Sequence, residues 1–137
     1  MSDKVFFDTT VLVYSVSAED QRAEVAETLL ATGGVVSVQV LNEFVSVCRR
    51  KLKMSWKDVD EALGAARALC EPVIAVDLET HEDALKLAIR TGYHIYDALI
   101  VAAALRAGCN VLYSEDMQDG RRIEGLTVRN PFVAGIG

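Results

Sequence analysis

Apolar positions along the chain alternate between short solid blocks and longer stretches with helical spacing. Val5, Phe6 and Phe7 form a first block, ended by Asp8. A helix is predicted over 19–32, with Ser17 as its cap, Asp20 three residues on, and Gly33-Gly34 at its end. The block at 35–38 predicts a second strand. Over 40–52, Leu41, Phe44, Val45, Cys48 and Leu52 fall on one helical face. Ser55 then reads as an N-cap with Asp58 at the capping-box position, opening a helix to about Cys70. Pro72 breaks it, and 73–76 predicts a third strand. Thr80 opens a further helix, closed by Gly92. The stretch 94–107 is apolar nearly all round, which predicts a buried helix, and Gly108 ends it. Strands four and five are predicted at 111–113 and 126–128.

Solid apolar strands separated by helices predict an α/β fold. The expectation is one three-layer domain over 1–137, with a mainly parallel sheet of four to five short strands flanked by helices. In such sheets ligands bind beyond the carboxyl ends of the strands, where strand order reverses. Polar residues just after strands, or at the starts of buried helices, are therefore the ones to weigh.

Composition narrows the class. Of 137 residues, 51% are hydrophobic, enough to fill one core and too many for a disordered chain. The longest strongly apolar run, 98–105, is too short to cross a membrane. The N-terminus leads into the first strand without the apolar segment of a secretory leader, so a cytoplasmic location is expected. Cys48, Cys70 and Cys109 are an odd number without a CxxC pair and read as buried free thiols. The net charge of −6 argues against broad electrostatic binding of nucleic acid, unless several acids are gathered at a metal.

Four acids stand where acids are costly. Asp8 directly follows the first strand; alone, it reads as a turn residue. Asp97 has Ile100, Val101, Ala104 and Leu105 at i+3, i+4, i+7 and i+8, so it shares the apolar stripe of a buried helix. Its alternative reading is a first-turn acid beside the positive end of the helix dipole. Glu43 borders the apolar face of its helix, between Val40 and Val47. Asp116 follows the fourth strand, in a loop where Asp and Gly also suit a turn. Together they are placed to converge on one crevice. Clustered carboxylates repel unless a cation neutralises them, and all-oxygen ligands suit Mg²⁺ or Mn²⁺. Ser114 is positioned to add a hydroxyl or to orient a carboxylate.

These segments carry a family resemblance. Phe6-Phe-Asp-Thr-Thr-Val-Leu-Val-Tyr14, Ser37-Val-Gln-Val-Leu-Asn-Glu-Phe44, Tyr96-Asp-Ala-Leu-Ile-Val-Ala-Ala-Ala-Leu105, Leu112-Tyr-Ser-Glu-Asp-Met-Gln-Asp-Gly120 and Asn130-Pro-Phe132 occur in order. In that arrangement the chain resembles the PIN-domain ribonucleases, and among them the VapC-type toxins of toxin–antitoxin pairs. The resemblance implies metal ligation and catalysis by Asp8, Glu43, Asp97 and Asp116, with Ser114 supporting. It implies hydrolysis of RNA phosphodiesters with Mg²⁺, Mn²⁺ substituting. It also implies a homodimer silenced by a cognate antitoxin. Thr10 stands where the family usually has Asn or Ser, and its hydroxyl is expected to orient Asp8. Asp119 matches a common acidic position in the last loop.

RNA contact needs positive charge outside the acids. Arg49, Arg50, Lys51 and Lys53 follow Glu43 toward the end of its helix and are candidates to hold phosphates, as is Arg121 beside Arg122. The plain alternative is a solvated helix end with basic residues at the negative dipole pole. Two other functions compete. A catalytically silent interaction module is one. The other is an Asp-nucleophile phosphatase of haloacid-dehalogenase type, which also places Asp after an apolar strand but wants a second Asp where Thr10 stands.

Overall fold

The computed structural model describes residues 3–17 and 20–133, apart from the side chain of Asp20. Its elements run β1 (Val5–Phe7), α1 (Thr9–Val16), α2 (Asp20–Ala31), β2 (Gly34–Ser37), α3 (Val38–Arg50) and α4 (Trp56–Leu69). They continue with β3 (Cys70–Ile74), α5 (Leu78–Thr91), α6 (Ile95–Arg106), β4 (Val111–Tyr113), β5 (Arg122–Ile123) and β6 (Leu126–Arg129). The six strands form one sheet in the order β3-β2-β1-β4-β6-β5. All pairings are parallel except β5 with β6. The α/β class and the parallel sheet are as expected; the sheet has one strand more.

Two differences from the sequence reading have physical causes. Residues 9–16 are a helix, although Thr9, Thr10, Val11, Val13 and Val16 are β-branched and favour strands. Asp8 caps its first turn, and Val11 and Leu12 are fully buried, so packing overrides propensity. Ser17 closes α1; its expected part as cap of the next helix falls on residues outside those described. Its backbone N–H and its hydroxyl both donate to the Tyr14 carbonyl. The start of the following helix at residue 19 lies outside the described residues. Pro72 does not precede β3 but sits within it, where the outermost position in the sheet asks for no donor on that side. The pairing of β2 with β3 slips beside it, between Gly34 and Val36.

The small extra strand β5 joins β6 through a two-residue turn, Glu124 at φ +52 and Gly125 at φ +96. Strand β2 runs into α3 without a loop, because Ser37 ends the strand and accepts from the Val40 N–H at 3.3 Å as helix cap. Gly34 is required at its position: a Cβ there would come within 2.5 Å of the Phe7 ring.

The core lies between the sheet and its helices. Helices α1 to α4 pack on one another as one group and α5 with α6 as another. Helix α6 is buried over seven consecutive residues, 98–104, as its all-round apolar pattern requires. Helix α3 buries Val40, Phe44 and Cys48, one face at i, i+4 and i+8. All three cysteines are free and buried, as expected. Among the described residues no helix is long and apolar enough to cross a membrane.

Candidate active site

Chain connections leave β1 and β4 in opposite directions: β1 leads outward to β2 and β3, and β4 to β6. The gap between those two strand ends is the switch point where a crevice must form. Asp8 stands at the end of β1 and Ser114 at the end of β4. Both are buried.

The Asp8 carboxylate is held from both sides. The Thr9 N–H donates to Oδ1 at 2.6 Å and the Ser114 hydroxyl to Oδ2 at 2.6 Å. The Ser114 hydroxyl in turn accepts from the Asp116 N–H at 3.2 Å. Burial pushes Asp8 up to about 6, from 3.8; its hydrogen bonds pull it down, and the charges of Asp116 and Glu43 push it further up.

Glu43 lies on the second turn of α3. It accepts from the Thr9 hydroxyl at 3.0 Å and, more loosely, from the Gln39 amide at 3.5 Å. The same amide donates to the Tyr96 carbonyl at 3.0 Å, tying α3 to the start of α6. Asp97 sits half-buried in the first turn of α6, whose cap is His94. Burial raises its pKa, Asp116 adds to the rise, and His94 opposes it. Asp97 is thus at the rim, while Ile100, Val101 and Ala104 take the buried positions.

Asp8, Glu43, Asp97 and Asp116 all line one cleft of about 410 Å³, together with Thr9, Tyr14, Lys51 and Glu115. Among the described residues none of the four has a lysine or arginine at ion-pair distance. Glu115, by contrast, is matched by Arg22 and by the Tyr14 hydroxyl. The four acids face one cleft but do not meet at a point. Among the described residues no three His, Cys, Asp or Glu side chains are gathered closely enough to hold an ion as they stand. The donor chemistry still fits a hard divalent cation: oxygen throughout and net negative, with Lys51 in the lining but, among the described residues, not ion-paired to any of the four acids.

Other sequence candidates take different parts, although Thr10 also lines the cleft. The Thr10 hydroxyl accepts from the Glu115 N–H at 3.3 Å instead of orienting Asp8; the neighbouring Thr9, with its backbone at Asp8 and its hydroxyl at Glu43, takes that part. Asp119 is outside the cleft and accepts from the Asn130 N–H at 2.8 Å, closing the last loop. Arg121 lies over the Tyr93 ring at 4.4 Å and donates to the Thr91 carbonyl at 2.8 Å, a packing role and not a free cation. Arg49 stacks on Trp56, Arg50 donates to Ser46, and Lys53 is exposed. Lys51 alone of that basic group lines the cleft. Thr9 and Gln39 escaped the sequence reading. The spacing of Gln39 to Glu43, i to i+4 on one helix, was the available signal for the second.

A family model for the PIN domain matches residues 5–123. No curated protein matches the chain in sequence. Solved structures match in fold. VapC20 of Mycobacterium tuberculosis, a sarcin-ricin loop cleaving toxin, is 23% identical with a TM-score of 0.64, over 82% of this chain and 90% of that one. A toxin–antitoxin complex from Klebsiella pneumoniae is 18% identical with a TM-score of 0.70, over 94% and 98%. VapBC2 from Rickettsia felis, bound to a DNA fragment from its promoter, is 20% identical with a TM-score of 0.65, over 92% and 97%.

Proposed function

The chain belongs to the PIN-domain family, and on that premise we propose that it is a divalent-metal-dependent endoribonuclease, the toxin of a type II toxin–antitoxin pair. Mg²⁺ is its cofactor, with Mn²⁺ as substitute, and a cognate antitoxin is its partner. The fold is shared with a sarcin-ricin loop cleaving toxin and with toxins held in antitoxin complexes, which supports the reading. The observation that carries it is Asp8: a buried carboxylate at the switch point, facing three more acids across one cleft, none of the four ion-paired to a lysine or arginine among the described residues. The phosphatase reading loses its footing, since Thr10 replaces the second Asp and its hydroxyl is taken by the Glu115 backbone.

In this reading Asp8, Glu43, Asp97 and Asp116 hold the metal. When bound, a divalent ion activates water near neutral pH and offsets charge on the scissile phosphate. Asp8 is kept in one orientation by Ser114 and the Thr9 N–H. Thr9 and Gln39 steady Glu43. Asp97, at the rim of the cleft, would accept a proton from the attacking water. No side-chain nucleophile is needed.

The test is to map cleavage sites on total cellular RNA with wild type and Asp97→Asn, with and without EDTA. Cuts made only by wild type, and only with Mg²⁺ or Mn²⁺, are expected. RNA cutting that persists in Asp97→Asn would refute the site; RNA bound but never cut by wild type would favour the interaction module.

A further inference from the structure

A basic and aromatic elbow joins α3 to α4. Residues 49–57 contain Arg49, Arg50, Lys51, Lys53 and Lys57, five of the chain's 14 lysines and arginines, and no acid. All five are exposed, and among the described residues none is ion-paired. So concentrated a positive surface is out of keeping with a chain of net charge −6.

Trp56, the chain's single tryptophan, opens α4 within this surface and is 64% exposed. Leaving so large a ring in water forgoes much burial energy. Its ring is also held: the Arg49 guanidinium lies 4.4 Å from the ring centroid and is itself fixed by donating to the Met54 carbonyl at 2.8 Å. The elbow is continuous with the acid cleft. Lys51 closes α3 and lines that cleft, eight residues beyond Glu43 and so about 12 Å along the helix.

We propose that this elbow is the track for an unpaired stretch of the RNA substrate, its phosphates on Lys51, Lys53 and Lys57 and one base stacked on Trp56. The proposal rests on the ribonuclease reading of the cleft. Cations alone suit any polyanion. An exposed aromatic ring among them suits bases whose faces are free, which a duplex hides and a single strand or loop presents. An acidic protein segment would use the charges, but it gives no reason for the surface to begin inside a phosphodiester-cleaving cleft.

Because Trp56 is the only tryptophan, its fluorescence reports on the elbow alone. The experiment titrates a mixed-sequence single-stranded RNA into the non-cutting Asp97→Asn protein. Tryptophan emission and the anisotropy of the labelled RNA are followed together. Saturable quenching by the single strand, and little by a duplex of equal length, is expected. Adding Trp56→Ala should weaken binding about tenfold while Trp56→Phe retains most of it, as stacking on a ring requires. Adding Lys51→Gln, Lys53→Gln and Lys57→Gln together should reduce the slope of log K against log salt by about 2. Circular dichroism checks that each variant is folded.

RNA binding without change in Trp56 emission, and with equal affinity in the variants, would overturn the track while metal-dependent cutting by wild type left the ribonuclease reading intact. Variants that lose only antitoxin affinity would overturn it in favour of a protein occupant. A wild type that neither binds nor cuts RNA would overturn both.

Discussion

Ser114 and Asp8 stand 106 positions apart in the chain and meet at 2.6 Å, the serine hydroxyl donating to the carboxylate. The bond spans the two central strand ends and orients the most deeply buried acid of the cleft. Ser114→Ala should leave the fold in place and weaken Mg²⁺ affinity about 10- to 100-fold, the usual effect of removing a group that orients a ligand. Isothermal titration with Mg²⁺ measures it; unchanged affinity would separate Ser114 from the site.

Asp8 gives a pH dependence of defined sign. Its pKa is 3.8 when unfolded and about 6 when folded, so the native chain holds that proton more tightly. The resulting stability is fully present below 3.8 and is lost as pH rises through about 6. At about 1.36 kcal/mol per pKa unit, metal-free wild type should lose about 3 kcal/mol relative to Asp8→Asn between acid and neutral pH. Urea melts in EDTA across that range compare the two proteins, and parallel curves would contradict the burial argument.

Removing metal should abolish RNA cleavage, and adding Mg²⁺ should do more than restore it. An ion that neutralises the cleft binds only the folded chain, so a concentration about 100 times the Kd adds about 2.7 kcal/mol. Thermal melts should rise with Mg²⁺ in wild type and stay flat in Asp8→Asn.

Thr9→Val removes the hydroxyl that holds Glu43 and keeps the N–H that holds Asp8. A fall in kcat of about tenfold is expected, with the melting temperature changed little, since one net hydrogen bond contributes about 1 kcal/mol. Single-turnover cleavage reads the effect directly.

Arg121→Ala should act on stability. The arginine stacks on Tyr93 and ties the loop after Gly120 to the end of α5. A loss of about 1–2 kcal/mol in urea unfolding is expected, with RNA cleavage within about twofold of wild type. A selective rise in KM would return Arg121 to the RNA-binding surface.

The sequence exposed what periodicity and solvation control. An all-apolar helix carrying Asp97 at its start, and acids placed just past short solid strands, could be read because burying charge is costly wherever it happens. Helix α1 could not be read, because its β-branched residues are helical only through Asp8's cap and the packing of Val11 and Leu12. Strand β5 was too short to show alternation, and Glu124-Gly125 is a weak turn signal. The swap of roles between Thr9 and Thr10 depends on how α1 leaves β1, a rotation that no spacing rule encodes. The four acids were expected at one point; the fold brings them to one cleft, with Glu43 restrained by neighbours that lie outside the acidic set.

Pro72 in the outermost strand, and the two-residue β5 at the opposite margin, leave the sheet with no long run of free backbone donors and acceptors on either side. Both devices, a proline and a very short strand, disfavour edge-on pairing with another chain's strand. Contacts with other macromolecules are thereby directed toward its helices and loops.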